Sequence, residues 1–273
     1  MEYRINAMYF SPTGTTKKVI SGIAEKISAK IIEENSVNYI DFTLPKARED
    51  SMSFDIGDIL VIGVPVYAGR VPNVLLKYLN SISSNGALAI PVVVYGNRYY
   101  DDALIELKDI LESKGFYIIA AAAFIGEHAF SYTLAKGRPN EKDMAIINEF
   151  ADGIVFKLEN GTITEKIVVP GHRPYRAYYM PKDKNGNPVD IRRVTPKTSD
   201  ACNNCKLCAD VCPMGSIDQN DVSKLKGICI KCGACIKKCP VQAKYFDDLE
   251  YLQHKKELET DFAERCEPEL FFA

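Results

Sequence analysis

The sequence predicts an α/β chain in two units: a five-stranded, doubly wound parallel sheet, then a small α+β module built around cysteines. Two observations predict it. Five apolar runs rich in β-branched and aromatic residues, at 3–10, 37–42, 58–64, 89–95 and 116–125, alternate with helical patterns. Such alternation buries a parallel sheet between two layers of helices. Further along, eight of the nine cysteines fall into two copies of one run between residues 202 and 240.

The first run, YRINAMYF, reads as a buried strand. Ser11-Pro12-Thr13-Gly14-Thr15-Thr16 follows, and then Ile20, Ile23, Ile27 and Ile31 mark one face of a helix. A strand, a hydroxyl-rich turn and a helix start make an anion site, because free amides point at the ligand and the helix dipole favours negative charge. The turn lacks the Gly-Lys-Ser/Thr of a nucleotide P-loop and the three glycines of a dinucleotide fingerprint. A lone phosphate monoester fits it better than a pyrophosphate. The third run, DILVIGV, is continuously apolar, as a parallel strand buried on both faces must be. Turns at 65–72, 96–102 and 126–132 follow the third, fourth and fifth strands, and helical patterns follow at 73–82, up to 113, and at 141–158. Residues 161–169 are read as a final strand or hairpin. All the decorated turns follow strands, so they converge on the carboxyl edge of the sheet, where ligands of such sheets bind.

The cysteine runs read Cys202-x2-Cys205-x2-Cys208-x3-Cys212-Pro213 and Cys229-x2-Cys232-x2-Cys235-x3-Cys239-Pro240. Three thiolates within seven residues can wrap one corner of an iron–sulfur cube, and in two-cluster ferredoxins the fourth ligand comes from the other run. This assigns Cys202, Cys205, Cys208 and Cys239 to one 4Fe–4S cluster, and Cys229, Cys232, Cys235 and Cys212 to a second. Zinc prefers two spaced pairs, so a third cysteine at x2 spacing is surplus to it. Disulfides belong to an oxidising compartment, to which nothing here points. Neither run lacks a ligand, so about eight irons are expected, not a cube with a three-iron centre. Cys266 stands outside both runs as a spare thiol.

The turn at 11–16 resembles the first loop of the flavodoxin family, Ser/Thr-x-Thr-Gly-x-Thr, which holds the phosphate of flavin mononucleotide (FMN). Ser11, Thr13, Gly14 and Thr16 match it, with Thr15 at the variable position. The resemblance implies a flavodoxin-like sheet of order 2-1-3-4-5, and a flavin ring held by the loops at 65–70 and 96–100. Its candidate contacts are Pro65, Tyr67, Gly69, Arg70, Gly96, Asn97, Tyr99 and Tyr100. The chain has no tryptophan, so Tyr67, Tyr99 and Tyr100 must supply flat apolar faces, each equally readable as a packing residue. Gly69 and Gly96 would let backbone approach the ring, and Arg70 is either a charge beside it or a surface arginine. His128 is read as a loop hydrogen-bonder before a general acid, and no catalytic residue is assigned.

Taken whole, the motifs SPTGTT, PVYAGR and YGNR with the cysteine runs resemble the EFR-type flavodoxin–ferredoxin fusions. The expected boundaries are a flavodoxin-like unit at 1–169, a proline-rich connector at 170–199, a two-cluster ferredoxin-like unit at 200–246 and an acidic helical tail at 247–273. The expected function is electron passage between two 4Fe–4S clusters and FMN, in exchange with an external donor or acceptor. The rival is an FMN-dependent reductase acting on a small molecule, and a partner-binding redox sensor is a third reading with no output element to support it.

Bulk charge is close to neutral at −2, with 47% hydrophobic residues, so nucleic acid is not implied. The first residues lack a signal-peptide layout and no apolar run spans a bilayer, so no membrane partner and a reducing cytoplasm are expected. A homo-oligomer is left open among the expected partners. Residues 170–199 carry seven Lys/Arg against two Asp/Glu, while 247–273 carry nine acidic against three basic residues. Either both are solvated surfaces or tail and connector pair with each other. The connector's Tyr175, Tyr178 and Tyr179 argue against a free tether and place it across the junction of the units.

Overall fold

Five of the six residues of β1 (Arg4–Tyr9) are buried, because strands lie on both sides of it and helices on both faces. The computed structural model describes residues 3–32, 36–161, 166–183 and 185–272. β2 (Val37–Asp41), β3 (Asp58–Pro65), β4 (Leu88–Tyr95) and β5 (Ala121–Ile125) complete a parallel core with β1. Across the sheet the strands run β5, β4, β3, β1, β2. β3 is buried at all but its last residue, the consequence of its unbroken apolar run. α1 (Thr15–Ile31) and α3 (Glu141–Asn160) cover one face, burying Val19, Ile20, Ile23 and Ile27 with Ile147, Phe150 and Ile154. α2 (Ala103–Ser113) and residues 73–82 cover the other, around Phe10, Phe42, Leu75, Tyr78 and Leu104.

The structure departs from the sequence reading in five places. The fifth strand is broken: Tyr117–Ile118 pairs with the start of β4, and Ala121–Ile125 with its end. The helix expected over 73–82 is a 3₁₀ turn (Asn73–Leu75) and one α-turn (Leu76–Leu79). Ser53–Asp55 and Ser83–Asn85 form a separate parallel pair, too short for alternation to reveal, fastened by Phe54 against Phe116 at 5.6 Å. The strand or hairpin expected over 161–169 falls partly on 162–165, outside the described residues; Ile167 and Val169 are buried in the core without joining a strand.

The tail is the largest difference. After α4 (Leu249–Asp261) it returns to the sheet as β6 (Glu269–Phe271), antiparallel to β5. β6 covers the edge that β5 would otherwise expose, a standard protection for an apolar edge strand. Phe272 packs its ring on Phe150 at 5.3 Å. The cysteine module therefore lies between two segments that are both tied to the sheet.

The connector's charge is answered mainly by the sheet unit and only in part by the tail. The connector's arginines pair with acids of the sheet unit: Arg176 bonds Asp102 at 2.7 and 3.1 Å, and Arg173 bonds Asp109 at 2.5 and 2.8 Å. Tail and connector meet directly at Lys197 and Asp247, 3.7 Å apart, and where the Tyr179 ring lies near His254.

Candidate functional site

The turn at 11–16 is shaped by Gly14, whose φ of 94° lets the chain enter α1 abruptly. The Ser11 hydroxyl accepts the Lys17 amide at 2.8 Å, and the Ser11 amide donates to Thr43 Oγ1 at 2.8 Å. Among the described residues, the amides of Thr13, Thr15 and Thr16 donate to no partner. Those are the orphan donors of a helix start, in a loop without a countercharge, and they fit an anion. Thr13, Gly14 and Thr15 are half-buried, while Thr16 and Ser11 are buried.

The loops after β3, β4 and β5 stand at the same edge. A Cβ on Gly126 would lie 3.1 Å from Thr15, and one on Gly96 2.3 Å from the His128 ring. Pro65 ends β3 half-buried, and Tyr67 opens a tight turn closed on Arg70. Tyr67 makes no side-chain hydrogen bond among the described residues. Burial holds its phenol well above the usual value, and Cys232 and Cys229 add to the effect. Tyr67 thus stands between the loops at the strand ends and the second cysteine run.

Four other candidates have different partners. Arg70 forms a bidentate pair with Glu106 at 2.6 and 2.8 Å, both side chains nearly buried, and lies between the Tyr175 and Tyr178 rings. Its charge is matched inside the connector's seat, so it is not the surface arginine of the alternative reading. The Asn97 carboxamide donates to the Phe262 and Glu264 carbonyls and accepts from the Cys266 amide. Tyr100 is buried against Tyr95 with its hydroxyl on Glu269 at 2.8 Å, whereas Tyr99 is 65% exposed. The Gly69 carbonyl accepts the Asp102 amide at 3.0 Å. His128 Nδ1 accepts the Phe130 amide at 3.1 Å, the loop hydrogen bond expected of it. Burial lowers His128 to about 4, with His254 and Lys237 adding to the shift, so the ring is neutral at pH 7.

The cysteine module repeats itself in its backbone. Asn204, Lys206 and Gly215 have positive φ in the first half, and Lys231, Gly233 and Gln242 have it at the matching positions of the second. Short helices follow at Leu207–Asp210 and Ala234–Lys237. The left-handed residues turn each loop back on itself between its cysteines. Cys212, Cys229, Cys232 and Cys235 line a single pocket, walled by Ile217, Ile228, Ile230 and Phe246. Burial pushes Cys232 up to about 12 and raises Cys229, and Cys212 lies close enough to add to both. In the other set, burial raises Cys208, with Cys202 and Cys239 contributing. Cys212 thus neighbours Cys229 and Cys232 across the two runs, and Cys239 neighbours Cys208. Among the described residues no three His, Cys, Asp or Glu side chains crowd together as ligands of a single ion do. Backbone amides already point at sulfur in both halves: Ser216 at Cys212, 3.4 Å, and Ala243 at Cys239, 3.2 Å. Thiols around an apolar pocket, with amides aimed at sulfur, are a donor set that suits an iron–sulfur cluster. Cys266 lies apart, with its Sγ on the Asn97 carbonyl at 3.4 Å.

The two units meet through residues that the sequence did not single out. Arg48 donates to the Pro213 carbonyl at 2.6 Å. Ile230 packs on the apolar core of the sheet unit. A Cβ on Gly233, whose φ is 75°, would lie 2.7 Å from the Ala129 carbonyl oxygen. Lys237 pairs with Glu127 at 2.6 Å and donates to the Ser131 carbonyl. On the tail, Tyr251 stacks with Phe130 and Phe246 at 4.8 and 4.4 Å. An isoleucine between two cysteines was the one available signal.

Residues 196–240 match the family model of the 4Fe-4S dicluster domain. That span includes Lys197–Thr198, which pairs with Lys244–Tyr245. The module is thus an iron–sulfur unit. No curated protein matches the chain. Among solved structures, an NADH:FMN oxidoreductase (EMOB, apo form) is 17% identical over 57% of this chain and 89% of its own, with a TM-score of 0.40. A flavodoxin of Streptococcus pneumonia TIGR4 is 16% identical over 56% and 98%, TM-score 0.39. A short-chain flavodoxin associated with a PDU bacterial microcompartment is 17% identical over 57% and 99%, TM-score 0.38. These are similarities of part of the chain.

Proposed function

We propose that the protein is an iron–sulfur flavoprotein of the EFR-type flavodoxin–ferredoxin kind, moving electrons between two 4Fe–4S clusters and FMN in exchange with an external redox partner. One adjacency supports the reading above all. The anion turn touches the loop after β5 through Thr15 and Gly126, and the next residue of that loop, Glu127, is paired with Lys237, two positions beyond Cys235. In this reading Thr13, Thr15 and Thr16 hold the FMN phosphate by their amides, and Ser11 braces the turn. Tyr67 and the backbone at Gly69 and Gly96 flank the ring. Cys202, Cys205, Cys208 and Cys239 hold one cluster, and Cys212, Cys229, Cys232 and Cys235 the other. Bound FMN supplies a centre that exchanges one or two electrons, whereas each cluster exchanges one. The protein's part is to hold these centres close together and to keep His128 neutral beside the Gly96 backbone.

The test is an anaerobic preparation analysed for iron, sulfide and flavin. About eight irons and a stoichiometric FMN are expected. Reduction of the metal centres should then bleach the flavin absorbance. Protein that retains no flavin, or whose flavin stays oxidised while centres of lower potential are reduced, would rule the reading out.

A further inference from the structure

We infer that the two cysteine sets have unequal places in the electron path: Cys212, Cys229, Cys232 and Cys235 form a relay beside the strand-end loops, and Cys202, Cys205, Cys208 and Cys239 form a port facing solvent. The inference rests on the flavin reading above and adds an order to it.

The relay set is held by the sheet unit at several points along its chain. Pro213, next to Cys212, takes a hydrogen bond from Arg48. Ile230, between Cys229 and Cys232, is packed on the core beneath the sheet edge. Gly233 abuts the Ala129 carbonyl, and Lys237 is fastened to Glu127. Cys232 is 9% exposed. The port run differs in each respect. Ala201, Asn203, Asn204, Cys205, Lys206 and Leu207 are all exposed. Its hydrogen bonds among the described residues stay within the module and the end of the connector, as from the Cys202 amide to the Ser199 carbonyl. Cys239 lies close enough to the exposed Tyr132 of the sheet unit to help raise its phenol, as does Cys235.

Electron tunnelling falls exponentially with distance. The embedded set is therefore the one that exchanges with a ring at the strand ends, and the exposed set is the one an external carrier can approach. The balance is simple. Two reduced iron–sulfur carriers each lose one electron at the port, the electrons cross the relay singly, and the flavin takes up both with protons from solvent. The same order serves the reverse flow.

The experiment uses the full chain, prepared without air, as wild type, Cys205→Ser, Cys232→Ser and Ile230→Ala. Iron release to a ferrous chelator is followed by absorbance. In the wild type about half of the iron, one cluster's worth, should leave in a fast phase. Cys205→Ser should lack that phase, and Cys232→Ser should keep it. Flavin bleaching is then followed after mixing with a reduced two-cluster ferredoxin. Ile230→Ala keeps every ligand, so it should hold full iron and yet bleach at least about tenfold more slowly, since a small displacement of reacting centres is costly. A fast phase missing from Cys232→Ser instead, or Ile230→Ala protein bleaching at the wild-type rate, would overturn the order. Wild type that binds iron but no flavin would defeat the functional reading, and the iron-release result would still judge which set is exposed.

Discussion

Lys237 Nζ lies 2.6 Å from Glu127 Oε1, joining the end of the second cysteine run to the loop after β5. Both side chains are largely buried, at 12% and 26% exposure. The Lys237 ammonium also sits 4.0 Å from the Tyr132 ring centroid. A burial this deep makes the pair sensitive to loss of either member, because the remaining charge is left without its partner.

Glu127→Gln and Lys237→Met should each destabilise the holoprotein by about 1–3 kcal/mol, the cost of an unpaired buried polar group. A double-mutant cycle in anaerobic urea unfolding should show coupling of at least about 0.5 kcal/mol. Strict additivity would mean that the two residues act independently.

Arg70 and Glu106 are the deeper pair, and the connector is built on them. Arg70→Ala should cost about 3–5 kcal/mol, the usual loss on breaking a buried ion pair. Arg70→Lys should recover little, because Arg70 bonds both carboxylate oxygens, holds the Arg176 carbonyl and lies between two tyrosines. Limited proteolysis after residues 173–176 should rise in both variants. Lysine behaving as wild type would show that charge alone matters there.

Asp102 predicts an acid limit for the connector's seat. Hydrogen bonds from Arg176 hold its carboxyl far below the ordinary value, with the Arg176 and His172 amides assisting. A depressed carboxyl contributes stability that is full above its unfolded value, about 4, and is lost as pH falls toward the folded one. The stability gap between wild type and Asp102→Asn should be constant from pH 6 to 8 and narrow below about pH 4. A gap that widens on acidification would contradict the assignment.

His128 gives a second pH signature in a different window. Its folded value of about 4 lies below the unfolded value of about 6.5. Keeping the ring neutral contributes nothing to the pH dependence above 6.5. Stability is lost as pH falls from there through 4, where the unfolded state binds the extra proton. His128→Gln should flatten that part of the pH–stability curve. If the slope between pH 6.5 and 4 is unchanged, His128 is not its source.

Much of the candidate site is legible in the order of its residues. Cysteine spacing carries its own geometry, because three thiols within seven residues can only converge if the loop turns, and positive φ at Asn204, Lys206, Lys231 and Gly233 is how it turns. The anion turn is equally local, since a strand, Ser11 to Thr16 and a helix start suffice to leave amides free. The ring contacts are less legible. Asn97, Tyr100 and Arg70 lie in the expected loops, but their partners are Phe262, Glu269 and Glu106, which lie between 36 and 169 residues away.

The amino-acid sequence alone dictates the alternation of strands and helices, the turn at 11–16 and the gathering of eight cysteines into two runs, because each depends on neighbours a few residues apart. Tertiary packing settles the rest: β6 returns to the sheet, the connector seats on Asp102 and Glu106, and Ile230 places one cysteine set inward. Those outcomes depend on which surfaces meet and exclude water, and no local pattern records the partner on the other side.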